Sequence, residues 1–207
     1  MTNAENDAST IYEQARRHLQ GDGIPYSHEL GANLLKKAAE MGHVKAQYNF
    51  GIVLHQGLGI RQSYEEAHRY FELAATQGHL RAVYMLGCYS AFGFLSPPSD
   101  EVALTFFRRA ADEGLADAQY NVGVYLLQGK GGLRSEEEAV RYFKLASDQG
   151  HGDAYYNLGI CYFQGRGVPA SHEQAIHFLE LAVKAKQPKA AEALETVMMA
   201  LPIKRGE

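Results

Sequence analysis

Glycine, alanine and tyrosine return along this chain every 36 residues, without slippage. One alanine series keeps that step: Ala46, Ala82, Ala118, Ala154 and Ala190. One glycine series keeps the same step: Gly21, Gly57, Gly93, Gly129 and Gly165. A unit of this size cannot bury a core of its own, so copies in register must stack and cover each other's apolar faces. The spacing therefore predicts a solenoid, and a solenoid favours a binding scaffold over an enzyme.

The copy at 44–79 shows how one unit forms two helices. Its apolar side chains recur at helical spacing, which predicts two amphipathic helices. Gly57 ends the first helix because glycine accepts the left-handed conformation, Ser63 caps the second, and Gly78 closes it. The same pattern predicts helices over 10–20, 28–41, 44–56, 63–77 and 99–113.

Small residues in the apolar stripes predict that the two helices of a unit lie close together. Gly51, Ala67 and Ala74 leave room for the approach, and Phe50 and Phe71 fill the space beside them. We expect the same arrangement at the equivalent positions of the other copies.

The third copy departs from this pattern in its turn, residues 93–100. The second glycine is missing, and Pro97 and Pro98 are added. Proline lacks a donor and restricts the residue before it, so we expect a stiff, extended, non-helical turn.

These motifs resemble the Sel1-like repeat, a relative of the tetratricopeptide repeat. The resemblance rests on the strings at 46–51, 57–59 and 73–79, and on matching residues around Ala118 and Ala154. It covers about residues 8–200 and implies an all-α, right-handed α/α superhelix in which the first helices of the units line a concave groove. It also implies adaptor or scaffold roles in assembling protein complexes.

We expect the chain to contain five repeats between two short terminal segments. The repeats are placed at 8–43, 44–79, 80–115, 116–151 and 152–187. Residues 1–7 are expected to be disordered, and 188–207 to form a capping helix and tail. A second possibility is that this apolar tail stacks end to end on another copy, which would make the chain self-associating.

Composition limits the partners and the compartment. The net charge is −4, so there is no overall basic surface for nucleic acid. No apolar run approaches the ~20 residues of a membrane span, and the polar N-terminus does not resemble a secretory signal. Cys88 and Cys161 lie 73 positions apart and are expected to stay reduced. We therefore expect a cytoplasmic protein.

A residue present in every copy is most simply explained by stacking, whereas one that varies at a groove position can encode a partner. Tyr48 and its equivalents are present throughout, so we favour packing between repeats over an aromatic ligand platform. The residues expected to line a groove for a protein or peptide partner are Lys45, Asn49, Arg81, Cys88, Phe92, Val124, Leu127, Ile160 and Phe163.

Charge changes sign along one groove position. Lys45 and Arg81 hold it in the early copies, and Asp117 and Asp153 in the later ones. A peptide with an acidic end at the first pair would match this pattern, although a solvated rim would look the same. Lys45, Asn49 and Arg81 also resemble part of the clamp by which some tetratricopeptide domains hold a C-terminal carboxylate. Asn49 and its equivalents Asn121 and Asn157 are alternatively expected to bond the loop backbone of the adjacent repeat.

We find no motif for catalysis, for a cofactor or for a metal. Gly129-Lys130 occupies the ordinary repeat turn and lacks the rest of a phosphate loop. His43, His79 and His151 recur at one turn position, so they are features of the repeat and not a ligand set. An alternative function is a hydrolase or ligand-binding protein of the β-lactamase-like kind, since some Sel1-like proteins have been linked to β-lactams. Those proteins carry paired cysteines in each repeat, which this chain lacks.

Overall fold

A computed structural model describes residues 7–200, which contain eleven helices and no strand. The helices are α1 (Ala8–Gln20), α2 (His28–Glu40), α3 (Val44–Gln56), α4 (Tyr64–Thr76), α5 (Leu80–Phe92), α6 (Asp100–Asp112), α7 (Ala116–Gln128), α8 (Glu136–Ser147), α9 (Gly152–Gln164), α10 (His172–Lys184) and α11 (Ala190–Met199). The predicted all-α solenoid is confirmed, and the predicted helix limits differ from these by at most two residues. The disorder predicted for 1–7 falls on residues outside the described range except Asp7, and the tail beyond 200 also lies outside it.

The chain divides into two compact units, 1–106 and 107–207, with the division inside α6. In unit 1, α1 pairs with α2 and α3 with α4, while α2 also packs on α3 and α4 on α5. In unit 2, α7 pairs with α8 and α9 with α10, while α8 packs on α9 and α10 on α11. Within each unit, the second helix of one hairpin is thus covered by the first helix of the next.

The small residues allow close helix contact, as the sequence predicts. A Cβ added to Gly51 would lie 2.6 Å from Cε1 of Phe71, which no real Cβ could occupy without a shift. Gly123 stands in the same relation to Phe143, again at 2.6 Å. Glycine at this position therefore sets the distance between the two helices of a hairpin.

The second glycine of the repeat turn has a separate role, which the sequence analysis did not assign. Gly59 has φ +71° and lies directly against the main chain of His28, at the start of the previous repeat's second helix. Gly167 lies in the same way against the main chain of Glu136. This turn therefore packs its backbone on the preceding repeat, where a side chain would not fit. In the third copy Leu95 stands at this position, and the turn is non-helical as expected.

Buried glutamines tie neighbouring elements together. Gln47 donates to the carbonyl oxygen of Ala39 at 3.3 Å and accepts from Nε2 of Gln77 at 2.7 Å. Gln119 and Gln149 repeat the arrangement in unit 2, at 2.8 Å. Because a buried amide without partners is costly, these bonds fix the pairing of the helices that carry them.

Candidate functional site

The first helices of neighbouring hairpins leave a cavity between α1 and α3 of about 290 Å³. We call it the unit-1 cavity. Its apolar lining consists of Leu19, Leu35, Ile52, Val53 and Leu58, and its polar lining of Arg16, Gln20, His28, Asn49 and Gln56. An apolar floor with a few polar groups at the edge is typical of sites that hold a side chain of a partner.

A second hollow of about 400 Å³ lies at the N-terminal ends of the same two helices. It is lined by Ser9, Tyr12, Glu13, Gly42, His43, Val44 and Lys45. Lys45 thus lines the hollow at the start of α3, and Asn49, one turn further along the same face, lines the unit-1 cavity.

In unit 2 a cavity of about 450 Å³ lies between α9 and α11, and we call it the unit-2 cavity. Its lining residues are Tyr156, Ile160, Phe163, Gln164, Lys189, Glu192, Ala193, Thr196 and Val197. The position matches that of the unit-1 cavity, because α11 follows α9 as α3 follows α1. Ile160 and Phe163 are therefore brought together as expected.

The remaining groove residues differ in exposure. Phe92, the last residue of α5, is 71% exposed, and its ring lies 6.0 Å from that of Phe94. Cys88, Val124 and Leu127 are half-buried. The predicted set therefore divides between the two units, with Lys45, Asn49, Arg81, Cys88 and Phe92 in unit 1 and the other four in unit 2.

The asparagines do not bond loop backbone in the way we expected. Nδ2 of Asn49 donates to the hydroxyl of Tyr12 at 3.0 Å, a side chain of the preceding repeat. Nδ2 of Asn157 donates at 3.1 Å to the carbonyl of Asp153 in its own helix. The expectation is therefore wrong for these two, since Asn49 bonds a tyrosine side chain and Asn157 bonds the main chain of its own helix. It stays a prediction for Asn121.

The recurring histidines are helix caps that also stack on the tyrosine ladder. The stacked pairs, with ring-centroid distances, are Tyr12 and His43 at 4.6 Å, Tyr48 and His79 at 4.5 Å, and Tyr120 and His151 at 4.7 Å. Nδ1 of each histidine accepts the main-chain N–H three residues later, at 3.1–3.3 Å. Because each histidine caps the first helix of the next repeat, Tyr12, Tyr48 and Tyr120 pack at the junction between two repeats, as expected. The 36-residue step of the tyrosines, with histidine 31 positions after each of these three, was the signal for the pairing.

His79 differs from the other two caps in its electrostatic surroundings. Burial lowers its pKa, and the positive charges of Arg81 and Lys45 lower it further. His151 instead has a carboxylate beside it, since its Nε2 lies 3.5 Å from Oδ1 of Asp117. His79 therefore lies near two cations, and His151 lies near one carboxylate.

An aromatic cluster fills the contact between the second and third copies in unit 1. Nδ1 of His55 lies 2.9 Å from the hydroxyl of Tyr89, and Phe94 from the irregular turn packs on both rings. Burial lowers the pKa of His55 and raises that of Tyr89. Both groups thus stay neutral at physiological pH. The histidine at this variable position serves packing.

Ionisable groups elsewhere form pairs and do not form metal sites. Glu136 accepts from the guanidinium groups of Arg134 and Arg166, which hold the pKa of its carboxyl below the usual value. Within residues 7–200, no three histidine, cysteine or acidic side chains cluster as metal ligands would. No helix in that range is long and apolar enough to cross a membrane.

Solved structures with the same fold come from several bacteria. A Sel1 repeat protein from Oxalobacter formigenes matches with a TM-score of 0.89 and 27% identity, over 100% of this chain and 83% of that one. A protective antigen with an SLR fold from uropathogenic Escherichia coli matches at 0.60 and 24% identity, over 97% and 51% of the two chains. A Klebsiella pneumoniae Sel1 repeat protein matches at 0.56 and 20%, over 93% and 94%. Among curated proteins no match was found.

The sequence itself matches the model of the Sel1 repeat five times. The matched residues are 11–43, 44–79, 80–115, 116–151 and 152–186. These matches account for nearly all of the described residues, and each contains one hairpin of the fold. The chain therefore belongs to the Sel1 repeat family.

Proposed function

We propose that this protein is a non-enzymatic adaptor that binds a segment of a partner protein on the faces of its first helices. The observation that carries the proposal is that two helices in each unit, α1 and α3 or α9 and α11, flank an open cavity lined by apolar and polar side chains. Three of the residues that the sequence predicts for the groove, Asn49, Ile160 and Phe163, line these cavities. Members of the Sel1 repeat family typically act as protein-interaction modules, which supports the same conclusion.

Charge supports an acidic group on the partner at unit 1. Lys45 and Arg81 are exposed and have no ion pair within the described part of the chain. Each lies in the first turn of a helix, where a cation is unfavourable because the N-terminal end of the helix dipole is already positive. A carboxylate of the partner would offset both effects. In unit 2 the equivalent positions carry Asp117 and Asp153 and would repel such a group.

The family's solenoid fold is generally non-catalytic, and the thiols fit a scaffold better than a redox enzyme. Burial raises the pKa of Cys161 to about 11, so its sulfur stays protonated and unreactive at neutral pH. Neither cysteine takes part in a disulfide. We accordingly place the protein in a reducing compartment, the cytoplasm.

The test uses peptides selected from a displayed library of 12-residue sequences on the wild-type protein. Phe92→Glu alters the face of unit 1, and Phe163→Glu alters the unit-2 cavity. Leu133→Glu is the matched control, because Leu133 is 92% exposed but is not among the lining residues of either cavity. At least one of the first two variants should bind the selected peptides at least tenfold more weakly, while the control should bind normally. Unchanged binding by both, with the helical circular dichroism retained, would refute the proposal.

We further propose that α11 ends the stack and does not join copies end to end. Glu195 occupies the position that Gly51, Gly123 and Gly159 hold in complete repeats, and a side chain there obstructs close approach of another helix. The exposed Met198 and Met199 support the opposite possibility, self-association. Light scattering of the full chain and of a chain without 188–207 separates the two. Unfolding of the shortened chain supports a cap, and a change from dimer to folded monomer supports stacking.

A further inference from the structure

Glutamine recurs at one exposed position where it has no structural role. In four of the five repeats it is the last residue of the first helix, and the third repeat has Phe92 there. The four are Gln20, Gln56, Gln128 and Gln164, all of them exposed. At other exposed positions of the first helices the side-chain type changes more often from copy to copy. This position carries glutamine in every copy but the third.

None of these four amides has a hydrogen-bond partner within the described residues. The buried glutamines behave differently, since Gln47 is held by Gln77 and Gln119 by Gln149. The recurring histidines and serines also have partners, as caps of the helices that follow them. A side chain that is repeated but makes no internal bond is not explained by stacking.

Two of the four glutamines meet at one cavity. Gln20 at the end of α1 and Gln56 at the end of α3 both line the unit-1 cavity, together with Leu19, Ile52 and Val53. Arg16 lies in the same lining, and within residues 7–200 its one ion pair is with Glu13, at 2.8 Å. Both members of that pair are about half exposed, so it is weak and can be exchanged for another carboxylate.

A pair of free amides suits an extended main chain. Each glutamine side chain can donate to a peptide carbonyl and accept from a peptide N–H. A helical partner has those groups bonded within its own helix, whereas an extended one presents them. Packed helices lie roughly 8–10 Å apart, which equals about three residues of extended chain. Amides on successive repeats can thus reach the main chain of one strand at intervals of about three residues.

We infer that Gln20 and Gln56 bind the main chain of an extended partner segment, which places an apolar side chain in the unit-1 cavity and an acidic side chain at Arg16. This inference rests on the proposed function and specifies the conformation of the partner. It assigns the site to unit 1 because two of these glutamines and Arg16 line that cavity, whereas the unit-2 cavity has one such glutamine and the opposed charges of Lys189 and Glu192.

The experiment compares two double variants with the peptides selected on the full chain. Gln20→Leu with Gln56→Leu removes the amides of unit 1, and Gln128→Leu with Gln164→Leu is the matched control in unit 2. We expect the selected peptides to contain an acidic residue beside an apolar one. The first double variant should weaken their binding about tenfold, the effect of losing two hydrogen bonds of ordinary strength, and the control should not. Main-chain N-methylation of the peptide at the residues beside its apolar anchor should produce a similar loss.

The outcomes distinguish this inference from the function on which it rests. Equal binding by wild type and the Gln20/Gln56 variant, with sensitivity to Phe92→Glu or Phe163→Glu retained, would overturn the main-chain contact and leave the adaptor proposal standing. A loss only in the Gln128/Gln164 variant would overturn the assignment to unit 1. Peptides that bind as helices, as judged by circular dichroism, would also overturn it. A selection that yields no binder would overturn both proposals.

Discussion

His79 provides a test of how neighbouring repeats are joined, because one imidazole both caps α5 and stacks on Tyr48. The perturbation is His79→Leu, which keeps an apolar side chain in place but removes the cap acceptor. The fold already contains this arrangement, since Leu115 occupies the N-cap of α7 without a side-chain cap bond. The variant should therefore fold.

The expected loss follows from the cap bond. Replacing a side chain that caps a helix costs about 0.5–2 kcal/mol of unfolding free energy. Nδ1 of His79 lies 3.3 Å from the N of Ala82, longer than the usual separation, so we expect about 1 kcal/mol. For a chain of this length that lowers the melting temperature by about 2–4 °C. The reciprocal variant Leu115→His should gain up to about the same amount at pH 8.

The effect should depend on pH with a defined sign. The pKa of His79 is lowered in the folded state by burial and by the charges of Arg81 and Lys45. The stabilising contribution of His79 is therefore complete above pH ~6.5, the pKa of histidine in the unfolded chain. It is lost as the pH falls through the lower folded-state pKa, because the unfolded chain then binds the proton more readily than the folded one. Protonated Nδ1 also cannot accept from Ala82. Thermal melts of wild type and variant at pH 8 and pH 5 measure the difference, and an equal difference at both would refute this account of the cap.

Three further predictions concern packing and activity. Gly51→Ala should lower the free energy of unfolding by about 1–3 kcal/mol, as measured by urea titration, because the added Cβ would clash with Phe71. Gly132→Ala is the control and should have almost no effect, since nothing lies within 4 Å of its added Cβ. Gln77→Ala should lower the free energy of unfolding by about 1–3 kcal/mol, because the amide oxygen of Gln47, a residue only 4% exposed, loses its donor. Thr76→Ala, at the adjacent exposed residue, is the control and should be near neutral. A Gln77 effect as small as that of Thr76 would contradict the role of the glutamine pair. Purified protein should not turn over a chromogenic β-lactam, and turnover that copurifies with the chain would restore the hydrolase alternative.

The fold was predictable from the sequence because the repeat encodes it five times over. The step between alanines and glycines gives the unit, and helical spacing with Gly57 and Ser63 gives helix limits within two residues. The role of Gly59 could not be predicted in the same way. Its backbone lies against His28 at the start of α2, 31 positions earlier in the chain. Spacing within a repeat does not show which residues of the neighbouring repeat a turn will contact.

The site was predictable only in part, for a related reason. Variability directed attention to Ile160 and Phe163, and both line one cavity. The same criterion treats repeated residues as structural, which holds for the tyrosines and histidines that stack on one another. It does not classify the position of Gln20 and Gln56, which carries glutamine in four copies and phenylalanine in the third. Whether a repeated amide is bonded internally depends on which residues lie beside it in the folded chain. Gln47 is buried and accepts from Gln77, whereas Gln56 is exposed to solvent, although both lie on α3.

The central claim is that partners bind to the first-helix faces and not to the outer, second-helix side. It is tested most directly by the backbone amide chemical-shift changes of ¹⁵N-labelled protein on addition of a selected peptide. We predict that the largest changes fall on α1, α3 and α5, together with the side-chain NH₂ signals of Gln20 and Gln56. Changes confined to α2 and α4, with those glutamine signals unmoved, would contradict the account.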